Sequence, residues 1–464
     1  MPMPPKPTPT QPLPPETLTA VAHQTQVIEG LRAQRQLLAP AQSTALNKAL
    51  AQAHSRRGVA LCNLGEPQAY FNDLRNDTLD SAIADHTQAI ELLEELLRAL
   101  ASWEPGTLSL RSQLAESYFA RCAARCRNGQ LHDALADLTH GIDLSEQLRK
   151  DLEPIGQWTL ILRQTLVRAY RERGDAFESR GELAAAIVQH SRAIELMEAA
   201  RSELEPGEER AAHWEHDLAD LYSIRGLAHR SNGDFAEAVA DHTLGLDLLE
   251  RAGEPSELSS ELAVAWEGRS AEAFLNRASA RFALRKVPEA IADCTQGIEL
   301  LEAQRARLES GEWWSKQHSD LAGAYKNRSL MLKRLRREDE AFADLEQVIQ
   351  LGEELRVRMG PGDQWTPAMR NALTAAYRSR AAARFKRGEF AAASEDYGQA
   401  IELGEVLRRR RGPAGRNLRE LAGLAEAYSN RAAARDSLGD LEGSAADRAI
   451  AEELRGVWNE VRFG

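Results

Sequence analysis

At 464 residues the chain is long enough for about three ordinary domains, and its 43% hydrophobic content can fill a core. A net charge of −12 and a pI near 5.6 speak against nucleic acid as a partner, because such binders concentrate basic residues. Four cysteines are too few for a disulfide framework, and no apolar run approaches the roughly 18 residues that a membrane span needs, so a soluble cytoplasmic protein is expected.

In chain order, residues 1–15 are rich in proline and read as a disordered tail with no signal-peptide character. Its Pro9-Thr10-Gln11-Pro12 spacing is a PxxP match of the kind that any such tail produces. Residues 16–46 hold a helical segment whose Ala22–Leu31 stretch echoes Ala84–Leu93, as if half a repeat capped the start. Residues 47–455 are eight copies of one string. An aspartate in each marks the register: Asp85, Asp137, Asp241, Asp293, Asp344, Asp396 and Asp447, with Gln189 in the third copy. Successive markers lie 52, 52, 52, 52, 51, 52 and 51 residues apart. Residues 456–464 close the chain.

Each copy has the same grammar. Apolar and small residues at helical spacing are followed by a Gly-acidic turn, as at Gly233-Asp234, and then by a second stripe such as Phe235, Ala238, Val239, His242, Leu246 and Leu249. The glycine ends one helix, and the acidic residue is placed to cap the next. The second helix runs well beyond its apolar motif, from Phe390 to Arg411 in the seventh copy, and Pro-Gly clusters such as Glu205-Pro206-Gly207 mark the boundaries. The first copy carries an insertion at about 66–78, including Tyr70 and Phe71, which predicts a loop.

An arginine precedes each marker by 16 residues, or by 28 in the first copy because of the insertion. These are Arg57, Arg121, Arg173, Arg225, Arg277, Arg328, Arg380 and Arg431. In an antiparallel helix pair this spacing puts arginine and aspartate at similar height, predicting a structural ladder of Arg–Asp pairs interrupted only at Gln189. No phosphate loop, nucleophile elbow or Cys/His pair outside the repeat grammar is present, so the chain does not read as an enzyme and no cofactor is implied. No metal site is expected either. His86, His190 and His242 hold equivalent positions in separate copies and read as packed core residues. His213 and His216 lack the spacing of a zinc protease, and Cys122 and Cys126 read as buried thiols. Trp158, Trp214, Trp314 and Trp365 read as anchors for the linkers, and Arg408–Arg411 as a solvated helix end.

The copies resemble tetratricopeptide repeats. The leading aromatic of that pattern is matched by Tyr118, Tyr170, Tyr222, Phe274, Tyr325, Tyr377 and Tyr428. The turn glycine is matched by Gly65, Gly129, Gly181, Gly233, Gly388 and Gly439, and the following alanine by Ala82, Ala134, Ala186, Ala238, Ala290, Ala341 and Ala393. Two departures stand out: a period near 52 where the family has about 34, and the ladder arginine where the family has leucine. The resemblance implies an all-α, right-handed α-solenoid of antiparallel helix pairs with longer helices than usual. It further implies a scaffold or adaptor that binds a peptide or helix of a protein partner on a concave face, lined here by Arg171, Asn276, Lys326, Asn327, Arg378 and Asn430. A second implied possibility is a regulator whose curvature responds to a ligand or peptide. The set that grips a C-terminal carboxylate in chaperone-binding members is not assembled.

Overall fold

The computed structural model describes residues 15–36, 44–64, 72–100, 106–202, 209–252, 260–308, 315–359, 367–411 and 418–463. Every regular element among them is helical. The Pro-rich tail, Tyr70, Phe71, Trp314 and Trp365 lie outside these residues or have undescribed side chains, as do the Arg408–Arg411 and His213 side chains. Contacts divide the chain into two bodies, Met1–Trp214 and Glu215–Gly464.

The first body begins with α1 (Pro15–Gln36), followed by three hairpins: α2 (Thr44–Leu64) with α3 (Asn72–Ala99), α4 (Thr107–Arg127) with α5 (Leu131–Leu152), and α6 (Leu160–Ser179) with α7 (Leu183–Arg201). Each helix packs on the next, and α2 also touches α4, so first helices lie side by side. Ile28 of α1 enters the core formed by Leu50, Ile90, Leu93, Leu114 and Tyr118. The insertion was expected to be a loop, yet α3 already begins at Asn72. Its second half therefore lengthens the helix to 28 residues, a conformation that Asn-Asp-Leu-Arg-Asn-Asp tolerates once a packed helix follows.

The second body holds five hairpins: α8 (Glu209–Asn232), which starts at the end of the first body, with α9 (Phe235–Ala252); α10 (Ser260–Ala283) with α11 (Val287–Arg307); α12 (Ser315–Arg334) with α13 (Glu338–Met359); α14 (Pro367–Lys386) with α15 (Phe390–Arg411); and α16 (Leu418–Ser437) with α17 (Leu441–Phe463). The bounds of α15 are those that the sequence pattern gives. Here too α12 touches α14 and α14 touches α16. The core around Leu321, Leu345, Leu351, Met369 and Leu373 joins α11 through α15.

The described turns within hairpins, from the second repeat on, share one geometry. At Gly181 (φ 77°) the chain turns left-handed, and the Glu182 N–H donates to the Phe177 carbonyl five residues back at 2.9 Å. This closure satisfies carbonyls left open at the helix end. The acidic residue after the glycine was expected to cap the next helix. Asp440 does so, accepting from the Gly443 N–H at 2.9 Å, whereas Glu182 makes no side-chain cap, its longer side chain fitting the capping geometry poorly.

Repeats five and six lack a turn glycine, and Arg285 (φ 62°) and Arg336 (φ 60°) take the left-handed place. That conformation costs an L-residue about 1–2 kcal/mol. Part of this is offset because glycine is freer in the unfolded chain. Arg285→Gly and Arg336→Gly should therefore each stabilise the chain, by about 0.5–1 kcal/mol. Equilibrium denaturation would check this, and a loss of stability would show that the arginine side chains make compensating contacts.

Candidate functional site

The recurring arginines, carboxylates and tyrosines build a node in each repeat. In the fifth, Arg277 on α10 reaches Asp293 on α11 with both arms, Nε to Oδ2 at 3.1 Å and Nη2 to Oδ1 at 2.8 Å. The same bidentate pair forms between Arg57 and Asp85, Arg121 and Asp137, Arg225 and Asp241, Arg328 and Asp344, Arg380 and Asp396, and Arg431 and Asp447. The aspartates are buried and the arginines half-buried. In the third repeat Arg173 donates instead to Gln189 Oε1, at 2.9 and 2.6 Å.

Electrostatics follow the partner. Burial pushes the Asp85 carboxyl up, but hydrogen bonds from His54 and Arg57 outweigh it and leave the group below the usual carboxylate range. Arg328 and Arg431 are raised, chiefly by the aspartates that accept their hydrogen bonds. Arg173 moves the other way, because burial acts on it with no carboxylate at its fork.

Four nodes have a second arginine one turn further on. Arg125, Arg281, Arg384 and Arg435 donate to Asp137, Asp293, Asp396 and Asp447 at 2.7, 2.7, 3.0 and 3.0 Å. The spacing of 12 residues from arginine to aspartate recurs in the sequence and was open to reading. The node also reaches backwards to the preceding hairpin. Arg57, Arg121, Arg277 and Arg328 donate from Nη1 to the Thr25, Thr87, Thr243 and Thr295 hydroxyls. The Tyr118, Tyr170 and Tyr377 hydroxyls donate to Glu94, Glu146 and Glu353 at 2.7, 2.9 and 3.0 Å. From the second repeat to the eighth, the ladder guanidinium also lies over its aromatic neighbour, as Arg277 does over Phe274 at 5.2 Å. Thr25 belongs to α1 and serves Arg57 as Thr87 serves Arg121.

His86, His190 and His242 are fully buried. Each ring presses on a glycine of the facing helix: a Cβ on Gly226 would come within 2.8 Å of His242, and one on Gly58 within 2.7 Å of His86. Only a hydrogen at that position leaves room for the ring. Burial pushes the His86 and His242 rings down to about 4. Trp158 and Trp214 are buried as well. Of the cysteine pair, Cys122 is buried but Cys126 is exposed, which corrects the expectation of two buried thiols. One turn further on, Cys126 lies beyond the small-residue contact. A hydrogen bond from Cys122 draws the Cys126 thiol down to about 7, and Cys122 itself is raised.

The six residues expected to receive a partner fall on first helices. Arg171 lies on α6 of the first body and is exposed; the other five lie on α10, α12, α14 and α16 of the second. Three of those five are already engaged between repeats. Asn276 accepts from Arg230 at 3.0 Å, Arg378 pairs with Glu426, and Asn430 hydrogen-bonds Tyr397. Side-by-side first helices let a long side chain reach its neighbour, which single-helix reasoning overlooks. Lys326 and Asn327 on α12 are half-buried, and neither side chain has an ion pair or hydrogen bond with a described residue. Two turns along, Lys333 is held below the ordinary lysine range by burial, with Lys386 of α14 adding to the effect against Glu338.

No helix among the described residues is long and apolar enough to cross a membrane. No family model matches the chain, and no curated protein matches it. Among solved structures, the apo form of RapI is similar over 95% of this chain and 97% of its own, at 10% identity and a TM-score of 0.45. The apo form of the quorum sensor NprR from B. thuringiensis is similar over 95% and 97%, at 13% identity and a TM-score of 0.41. A tetratricopeptide repeat protein from Parabacteroides merdae is similar over 71% and 93%, at 17% identity and a TM-score of 0.30. This chain's own helical hairpins, their shared left-handed turns and the recurring aromatic and small residues make it a tetratricopeptide-like repeat protein with unusually long repeats.

Proposed function

We propose that the chain is a protein-interaction module that takes an acidic, extended segment of a partner across first helices α12 and α14. The observation that carries this reading is the set Lys326, Asn327 and Lys333, all half-buried on α12, with the two lysines on one face. At seven ladder positions of this chain of net charge −12, a half-buried arginine meets an aspartate. Here, among the described residues, the donors meet no carboxylate but Glu338 near Lys333, whose charged form burial disfavours. A carboxylate from outside would supply the missing counter-charge, and Asn327 could hold the backbone of an extended peptide.

Affinity capture from native extract, with wild type beside Lys326→Glu/Lys333→Glu, tests the reading. The wild type should retain a protein with an acidic segment, more weakly as salt rises. The double variant should bind it on the order of tenfold or more weakly. Equal retention by both proteins would remove this face from consideration.

A further inference from the structure

The third repeat departs from the others at more than Gln189. Counting from the ladder arginine, the positions two and five residues on are Val59 and Cys62 in the first repeat and Leu227 and Arg230 in the fourth. In the third they are Asp175 and Glu178. All three repeats seat a buried histidine on a glycine of the facing helix, and a Cβ on Gly174 would lie only 2.3 Å from the His190 ring. Of the three rings, that of His190 alone has a carboxylate oxygen within 4 Å of a ring nitrogen among the described residues. His190 Nε2 stands 3.9 Å from Asp175 Oδ1, and one donor atom each from Asp175, Glu178 and His190 lies within 4.8 Å of the other two. The histidine is fully buried, Glu178 is half-buried and Asp175 is exposed, so the cluster has a fixed floor and an open side. No arginine or lysine forms a salt bridge with either carboxylate among the described residues.

We propose that Asp175, Glu178 and His190 bind a first-row divalent metal ion of the zinc type, joining α6 to α7. One imidazole nitrogen with two carboxylates is a borderline donor set that suits zinc. It offers too few oxygens for calcium, which takes six to eight. Three protein ligands leave a further position for water on the open side. The chain supplies its own controls. His86 and His242 share the glycine seat but lack the carboxylates, so packing alone does not account for Asp175 and Glu178. The two carboxylates also occur in the repeat whose ladder arginine meets Gln189, so this hairpin lacks the Arg–Asp pair that joins the helices of the others among the described residues.

Zinc titration by calorimetry of the chelator-stripped full chain tests the site, with Asp175→Asn/Glu178→Gln as comparison. That variant keeps His190 and all four cysteines. The wild type should take up one zinc ion and unfold at higher temperature in its presence, while magnesium at the same concentration has no effect. The variant should lose about tenfold or more in affinity and show no thermal shift. Should the double variant be less stable than wild type in chelator, Glu178→Gln alone carries the comparison. Absence of stoichiometric zinc binding by the wild type, equal affinity in wild type and variant, or an equal response to magnesium would each overturn the proposal.

Discussion

Asp293→Ala is expected to destabilise the second body by about 3–5 kcal/mol, the range for removing one partner of a buried ion pair. The size follows from what remains. Asp293 is buried and accepts from Arg277 Nε and Nη2 and from Arg281 Nη1. Its loss leaves two partly buried guanidiniums facing each other with no anion between them. A surface pair such as Arg192–Glu195 would cost well under 1 kcal/mol. Removing Arg281 alone should cost less than removing Asp293, because Arg277 still satisfies the carboxylate. Chemical denaturation of the three proteins gives the ranking. A loss below about 1 kcal/mol for Asp293→Ala would mean that water replaces the aspartate at the node.

Acidification should weaken the chain through two of its buried histidines. The His86 and His242 rings titrate near 4 when folded, because burial disfavours their charged form, against an ordinary value of 6.5. Between those limits the unfolded chain binds more protons at these two sites than the folded chain does, so stability is full above about 6.5 and falls as pH drops towards 4. At about 1.4 kcal/mol per pH unit, each ring forfeits about 3 kcal/mol over the window. The surroundings do not reverse the trend. Asp85 and Asp137 favour the charged His86 ring and Arg121 opposes it, while His242 faces Arg230 and Arg277. Asp85, held below the usual carboxylate range, loses its contribution only at lower pH. The chain itself supplies the replacement, since its sixth repeat fills the same two positions with Ser329 and Leu345. Carrying Gly58→Ser/His86→Leu and Gly226→Ser/His242→Leu should flatten denaturation midpoints between pH 6.5 and 4. Unchanged slopes would show that other groups set the acid response.

Much of this architecture was legible in the sequence because one arrangement is written eight times. Spacings near 52 set the hairpins, and 16 residues from arginine to aspartate set the contact across most of them. The pairing of glycine with histidine was also open to reading: the repeats with Gly58, Gly174 and Gly226 are those with His86, His190 and His242. Contacts between repeats were harder to foresee. Nothing within one helix says that the Tyr118 hydroxyl will find Glu94 or that Arg378 will find Glu426, because both depend on how neighbouring hairpins stack. The left-handed arginines were missed for a different reason. The five glycine turns fix the backbone, and at Arg285 and Arg336 the tertiary frame overrides residue preference.

The nodes also bear on how the chain reaches this structure. Their links join residues that are close in sequence: 12 or 16 apart within a hairpin (28 in the first), and 23 to 34 apart between neighbouring ones. Forming any one of them closes only a short loop, so the entropy of closure is small each time. Assembly can begin at any hairpin and spread to the next, without waiting for a distant partner to arrive. Loosening can be equally piecemeal, with single hairpins exchanging their amides with solvent while their neighbours stay shut.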